Sequence, residues 1–404
     1  MPAWTLRDYP RPAGDSGRGI HLGPDSSDGA PFRLWADEAE KLHVSWVTTA
    51  TCFLPELEYL ASKGIQPICR PKFRANEEWG DDHAVVENMQ AAGVGAYVQI
   101  YNEPESAVEW PGGEVDELEY IKRFIRAADN IHSRGGYVGV QLMDPLWLEH
   151  LIDEIKAQGK EYLFERMFFC CHSYGANKPN NYPYDKVNQL GVPLEPWEIE
   201  RIRQDPLFYP GPADESRVIW WTNFINQLRV DHKNPGQTIL EDWKCFLAPL
   251  KWDEVFRRKI GRSVPIICTE GNQAVGDNQD DRYVRVTPED HADQWKESFA
   301  MFGRGIRPNG DPLPDFWFAN TGWLIASELA AGPSGEFEAN ALYSNVSPKP
   351  LTIKTLQNLA VVLRRFSWDG TAPSPIPTPI PVPVPTPGPP ATFLKLGPHS
   401  QSAR

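Results

Sequence analysis

The sequence is poor in the features that mark several classes of protein. Its 404 residues include six cysteines, with no CxxC pair and no Cys/His spacing typical of zinc, so we expect neither a disulfide framework nor a structural metal. No run of about 18 apolar residues could span a bilayer, and the first residues lack the apolar core of a signal peptide. Lys and Arg total 40 against 54 Asp and Glu, and this balance argues against a nucleic-acid or anionic-membrane partner.

Several catalytic motifs are missing as well. No GxGxxG turn follows an early strand, which argues against an open dinucleotide-binding sheet, and no GxSxG elbow indicates a serine hydrolase. The first predicted strand offers only His21 with Asp25 where a metal-dependent barrel would show His-x-His. The sequence therefore predicts neither a catalytic metal nor another cofactor.

Proline is abundant, and it divides the chain. Ten of the 39 prolines fall in residues 371–390, where proline at nearly every second position favours extended polyproline II and excludes helix and sheet. The remaining 14 residues are too few to form a core. We therefore predict an N-terminal extension (1–18), one folded body (19–368), a Pro-rich linker (369–390) and a short segment (391–404) that is either a tail or the start of a missing module.

The residue pattern of the folded body predicts strands that alternate with helices. Eight short apolar or β-branched runs, beginning near residues 19, 42, 66, 96, 137, 166, 265 and 315, predict buried strands. Stretches with apolar positions three and four apart predict helices at about 53–63, 84–92, 115–133, 146–158, 215–230, 288–302 and 351–365. Eight such repeats favour an α/β fold closed into a (β/α)8 TIM barrel over an open sheet. The long segment 175–214 after strand six would overhang the face that holds active sites, either as a functional loop or as a surface insertion without a role.

Two carboxylates stand where predicted strands end. Strand four runs into Asn102-Glu103-Pro104 and strand seven into Thr269-Glu270-Gly271, the positions that a barrel uses for catalysis. Either residue alone could cap a helix or pair with an arginine, but together they can face each other across the barrel mouth. Paired carboxylates suit cleavage of a glycosidic bond, because one must be protonated while the other stays ionised.

Neighbouring side chains fit the same chemistry. Asn102 can donate to a sugar hydroxyl, and Arg70 or Tyr174 could hold Glu270 anionic. His172 and Tyr174 are two residues apart on strand six and therefore share one face of it. For His172, satisfaction by a backbone carbonyl is the alternative to a role in a site.

These motifs together resemble a known group of enzymes. NEP (102–104), HSY (172–174), TEGN (269–272) and FWF (316–318) are similar to clan-A retaining glycoside hydrolases, most closely the cellulase-type family five, over about residues 19–365. The resemblance implies that Glu103 is the acid/base, Glu270 the nucleophile and Asn102 a ligand of the substrate 2-hydroxyl. It further implies substrate-site roles for a second set of residues: His172, Tyr174, Arg70 as the barrel arginine, and Trp317 as the sugar platform with Trp323 as its competitor.

The function expected from the sequence is therefore retaining hydrolysis of β-glycosidic bonds in a poly- or oligosaccharide. The alternatives are a non-catalytic carbohydrate-binding or cell-surface barrel and a transglycosylase that uses the same residues. The expected partner is a carbohydrate substrate, and a monomer is favoured. The Pro-rich linker suggests an extracellular or cell-surface protein, whereas the lack of a signal peptide in this chain would fit the cytoplasm.

Overall fold

The computed structural model describes residues 4–23, 30–80, 84–234, 237–326, 339–344 and 347–369. Residues 370–390 of the predicted linker (369–390) and the predicted tail 391–404 lie outside the described residues. No helix within the described ranges is long and apolar enough to cross a membrane.

Eight parallel strands close into a barrel in chain order, which confirms the predicted (β/α)8 architecture. Each predicted strand is present. The strands are β1 (Arg18–His21), β2 (Trp46–Thr49), β3 (Gln66–Cys69), β4 (Tyr97–Ile100), β5 (Tyr137–Gln141), β6 (Met167–Ser173), β7 (Ile266–Gly271) and β8 (Trp317–Gly322). Closure comes from parallel pairing of β1 with β8, in which Gly19 lies opposite Thr321.

The helices surround the barrel, with additions that the sequence pattern did not indicate. Over the described residues they are α1 (Ala30–Lys41), α2 (Leu54–Ser62), α3 (Val85–Ala91), α4 (Glu117–Ser133), α5 (Pro145–Ala157), α6 (Lys186–Leu190), α7 (Pro196–Gln204), α8 (Glu215–Asp231), α9 (Pro249–Ile260), α10 (Pro288–Arg304) and α11 (Pro350–Gln357). Helices α1, α6, α7 and α9 were not predicted.

The helix that packs on the barrel between β6 and β7 is α9, whereas the sequence pattern had assigned this place to the helix at 215–230. Trp252 of α9 stacks on Phe169 of β6 at a ring-centroid distance of 4.5 Å. Helix α8 instead joins α7 in a separate small apolar cluster that includes Ile202, Val218 and Ile225. Helices α7 and α8 are therefore an addition to the barrel with an apolar cluster of their own.

The amino end of the barrel is closed by the two ends of the folded chain. Tyr9 inserts there and donates its hydroxyl to the carbonyl of Met167 at 2.8 Å, and Phe366 packs on Phe318. Helix α11 ends at Gln357, earlier than the predicted residue 365. The Arg18 guanidinium binds the carbonyl of Leu359 at 3.2 Å, and such a contact uses a carbonyl that a longer helix would need for its own hydrogen bonds.

Candidate active site

The interior of the barrel changes from aromatic to polar along the strands. Trp46, Tyr97 and Phe168 pack edge to face at the amino end. Side chains two or four residues further along a strand point to the same face, so Gln99 follows Tyr97 and His172 follows Phe168 into the interior. The alternation of side chains that places aromatic rings inside the amino end of the barrel therefore also places polar side chains inside its carboxyl end.

Glu103 is fixed by its backbone directly after β4. Its φ of 37° lies in the left-handed region, which is uncommon for a residue other than glycine. Its N–H donates to Oε1 of Gln141 at the end of β5 at 2.5 Å, and its carbonyl accepts from the N–H of Ser106 at 2.8 Å. These bonds hold the side chain, which is 27% exposed, at the mouth of the barrel.

Glu270 lies near the end of β7 in a buried, positively charged setting. Arg70, which follows β3, binds its Oε1, and the Tyr174 hydroxyl donates to its Oε2 at 2.7 Å. Burial would raise the pKa of Glu270, but the opposing charges of His172 and Arg70 outweigh it and lower the pKa to about 2. Glu270 is therefore a carboxylate at any pH at which the protein is handled.

His172 joins the two carboxylates. Its Nδ1 lies 2.7 Å from Oε1 of Glu103 and 3.6 Å from Oε2 of Glu270. Burial works against a charge on the ring, but Glu270 and the hydrogen bond to Glu103 raise the pKa of His172 above its ordinary value. One oxygen of each carboxylate and a ring nitrogen of His172 all lie within 4.8 Å of one another. The site thus holds two carboxylates of unlike surroundings, with a proton-carrying imidazole between them.

Asn102 and Trp323 complete the group around Arg70. The Arg70 guanidinium donates to Oδ1 of Asn102 at 2.9 Å and lies 5.9 Å from the ring centroid of Trp323. The Asn102 NH2 group faces Oε1 of Glu109 at 3.5 Å, so the amide is oriented with Oδ1 towards Arg70 and the NH2 group towards Glu109.

Trp317 lies elsewhere, and this corrects the sequence-based preference for it as the platform. It is the first residue of β8, at the amino end of the barrel, and is fully buried between the barrel and its helices, with Phe246 and Phe302 as ring neighbours. Its indole has no face open to a ligand. Trp323 directly follows β8 and is the tryptophan that lies beside Arg70.

Three further polar residues reach the same end of the barrel and were not predicted for the site. His21 ends β1 and packs on Trp323 at a centroid distance of 4.5 Å, and burial and the nearby Arg70 lower its pKa well below the ordinary value, so the ring is neutral. Gln141 ends β5 and positions Glu103, and Asn272 follows β7. A polar residue at the last interior position of an apolar strand is the signal that could have found His21 and Gln141.

Glu103, His172 and Glu270 are also, among the described residues, the one group of His, Cys, Asp and Glu atoms close enough to hold a metal ion. Arg70 already neutralises Glu270, and a divalent cation at that place would be repelled by the guanidinium. The arrangement therefore suits proton transfer and nucleophilic attack better than metal binding.

The long segment after β6 turns back over this face of the barrel. Asn177 donates to the carbonyls of Asp280 at 2.7 Å and Tyr283 at 3.0 Å, and Arg282 donates to Oδ1 of Asn188 at 2.7 Å. The loop after β7 is thereby joined to the loop after β6 next to Tyr174.

No protein-family model and no curated protein matches this chain. Solved structures do match. A β-1,3-glucanase and allergen of Cryptomeria japonica pollen is 13% identical with a TM-score of 0.41, covering 83% of this chain and 98% of its own. A GH128 (subgroup VII) oligosaccharide-binding protein from Trichoderma gamsii is 12% identical with a TM-score of 0.39, covering 89% and 97%. Plant β-glucan endohydrolases are 12% identical with a TM-score of 0.43, covering 82% and 97%. Similarity at this level carries no inference about the chemistry of the site.

Proposed function

We propose that the protein is a retaining glycoside hydrolase that cleaves β-glycosidic bonds of a poly- or oligosaccharide by double displacement. The observation that carries the proposal is the pair Glu103 and Glu270 at the barrel mouth, with an oxygen of each within 4.8 Å of the other. Retaining enzymes hold their carboxyl groups about 5–5.5 Å apart, whereas inverting enzymes need about 6.5–9.5 Å for an intervening water. The short separation favours direct attack by one carboxylate.

The unlike surroundings of the two residues assign their roles. Glu270 is held as an anion by Arg70 and Tyr174, which suits a nucleophile that attacks the anomeric carbon. Glu103 shares a short hydrogen bond with His172, and this pair can supply the proton that the departing sugar oxygen needs. In the first step the bond from Glu270 to the anomeric carbon forms, the glycosidic bond breaks, and the proton passes from Glu103 to the leaving oxygen.

The second step reverses the proton transfer. Glu103, now a carboxylate, takes a proton from water as the water oxygen attacks the anomeric carbon and releases Glu270. If a sugar hydroxyl replaces water, the same residues form a new glycosidic bond. Asn102, whose Oδ1 accepts from Arg70, would donate from its NH2 group to the substrate 2-hydroxyl in place of the long contact with Glu109.

The test begins with a panel of β-glucans, mannans, xylans and aryl β-glycosides. We expect Glu103→Gln and Glu270→Gln each to lose at least about a thousandfold in kcat, since each removes a group that acts on the reacting bond. Glu161→Gln is the matched control, because Glu161 is exposed and lies before β6 at the amino end of the barrel. Full activity in either site variant would refute the assignment.

Azide then separates the two roles. With an activated aryl glycoside, azide should rescue Glu103→Ala and give a product with the configuration of the substrate, and it should rescue Glu270→Gly with the opposite configuration. Proton NMR of the first sugar released by the wild type shows retention directly. Oligosaccharide binding without any turnover would instead support the non-catalytic barrel, and products longer than the substrate would support transglycosylation.

A further inference from the structure

A groove lies between the helices added after β6 and helix α10. It consists of two clefts of about 350 and 530 Å³, bounded by the loop after β6, by α7 and by α10. Volumes of about 300–1,000 Å³ are typical of sites for small ligands. The two clefts are continuous, because they share the lining residues Pro179, Asn181, Trp197, Arg201, Asp290 and Gln294.

The groove is separate from the candidate active site. Residues along the loop after β6 alternate between two spaces: Ala176 and Lys178 line the space next to Tyr174, whereas Asn177 and Pro179 line the groove. No residue of the candidate active site lines the groove. A ligand in the groove would therefore lie on the other side of this loop and would not contact the reacting bond.

Trp197 is the exposed aromatic residue of the groove. It lies in the first turn of α7, is 61% exposed, and belongs to none of the apolar clusters of the described residues. Its ring lines both clefts, and the Arg201 guanidinium lies 5.3 Å from the ring centroid. A tryptophan that packs in no core and is exposed in a concave surface indicates a ligand site, because aromatic rings commonly line such sites.

The charges in the groove nearly cancel. Five basic and six acidic side chains line the two clefts together, although the whole chain carries a net charge of −14. Arg201 pairs with Asp290 and thereby joins α7 to α10, and the buried pair of Arg229 and Glu198 joins α8 to α7. The walls are therefore held together by ion pairs within the chain, and the groove favours an uncharged ligand over an ion.

Asn181 gives the groove a free hydrogen-bonding group. It lines both clefts, and its side-chain amide makes no hydrogen bond to the residues that the structure describes. The neighbouring Asn180 donates to the carbonyl of Gln294 at 3.0 Å and so fixes this part of the loop to α10. An amide both donates and accepts, as sugar hydroxyls do.

We infer that this groove is a second, non-catalytic site for an uncharged polysaccharide chain, in which Trp197 stacks on a sugar ring and Asn181 bonds to a hydroxyl. This rests on the proposed function, and it narrows the substrate to a chain long enough to occupy both sites. A sugar ring has an apolar C–H face and a rim of hydroxyls, so it fits an exposed indole next to a free amide. The balanced charges of the walls favour a neutral chain over an acidic one.

The first measurement compares the polysaccharide that the wild type cleaves with an aryl β-glycoside of one sugar residue. Trp197→Ala should lower kcat/KM about fivefold on the polysaccharide and leave it within about twofold on the aryl glycoside, because one sugar at Glu270 does not reach the groove. Asn181→Ala should lower kcat/KM on the polysaccharide about threefold. Trp220→Ala is the matched control, because Trp220 is 56% exposed on the neighbouring α8 and lines neither cleft.

The second measurement is binding without turnover. Depletion of Glu270→Gln protein from solution by insoluble β-glucan, mannan or xylan gives a Kd, and each substitution is then added to this variant. We expect Trp197→Ala to raise the Kd about fivefold and Trp220→Ala to leave it unchanged. If the wild type cleaves no glycoside, the proposed function fails, and the same depletion measurement on the wild type and on Trp197→Ala still tests the groove.

Three results would overturn the inference. The first is equal kcat/KM on the polysaccharide and equal Kd for Trp197→Ala and its parent protein. The second is an equal loss on the polysaccharide and on the aryl glycoside, which would assign Trp197 to the fold or to the active site. The third is the absence of depletion by all three polysaccharides, or a loss of binding in Trp220→Ala instead of Trp197→Ala.

Discussion

Glu270 should contribute to the dependence of fold stability on acid pH, and removing it should remove that contribution. Its pKa is about 2 in the folded protein against an ordinary value of 4.5. Because the folded-state pKa is the lower one, the stabilisation is fully present above about pH 5 and is lost as the pH falls towards 2. At 1.36 kcal/mol per pKa unit the whole effect is about 3 kcal/mol, of which about 2 kcal/mol disappears between pH 7 and pH 3.

The assay is urea unfolding followed by tryptophan fluorescence at pH 7, 5, 4 and 3. The free energy of unfolding of the wild type minus that of Glu270→Gln should fall by about 2 kcal/mol from pH 5 to pH 3, below the range in which His172 titrates in the unfolded chain. Glu161→Gln, which removes an exposed carboxylate at the other end of the barrel, should track the wild type at every pH. Parallel pH profiles for the wild type and Glu270→Gln would refute the electrostatic account of the site.

The contribution of His172 to stability should depend on pH in the opposite direction, because the pKa of His172 is raised in the folded protein. Its raised pKa means that its stabilising contribution is fully present below about 6.5 and is lost as the pH rises through the raised value. Glu270→Gln removes the charge that does most to raise this pKa. NMR titration of the imidazole should therefore show a lower pKa for His172 in Glu270→Gln than in the wild type, and an unchanged value would contradict the coupling.

Four other substitutions test individual side chains. Arg70→Met should raise the pKa of Glu270 and move the acid limb of the kcat/KM profile to higher pH; an unmoved limb would count against the ion pair. Tyr174→Phe removes the hydroxyl 2.7 Å from Glu270 and should lower kcat/KM by about tenfold, whereas wild-type rates would exclude that bond from the reaction. Trp317→Ala should lower the free energy of unfolding by about 3–5 kcal/mol without raising KM. Trp323→Ala should raise KM. A raised KM in Trp317→Ala and an unchanged KM in Trp323→Ala would restore Trp317 as the platform.

The order of strands and helices could be predicted from the sequence, because each repeat is indicated by a pattern of residues that are close together in the chain. Short β-branched runs bounded by turn residues predicted all eight strands, and the same pattern placed Glu103 and Glu270 at strand ends. The spacing of His172 and Tyr174 put them on one side of β6. Barrel geometry then required these ends to meet, so the cluster around Glu270 followed from local pattern and chain order alone.

Two features depend on the tertiary structure. They are which tryptophan lies at the site and which helix packs on the barrel between β6 and β7. Trp317 begins β8 and Trp323 follows its last residue, and closure of the barrel buries the first at the amino end and places the second at the mouth. Helix α9 packs on β6 although α8 is the longer helix nearer in sequence, because the segment before α9 forms a core of its own.

The sequence by itself determined the barrel and its two carboxylates, because alternation along a strand and the order of repeats are properties of neighbouring residues. The closed structure decided which further polar residues lie around those carboxylates. His21 and Gln141 reach the site from β1 and β5, and Asn272 gains its place through the open space above Gly322 of β8. Such contacts join residues that are far apart in the chain. The residue pattern of a single strand or helix does not give the distance between two such residues, because that distance is set only when the barrel closes.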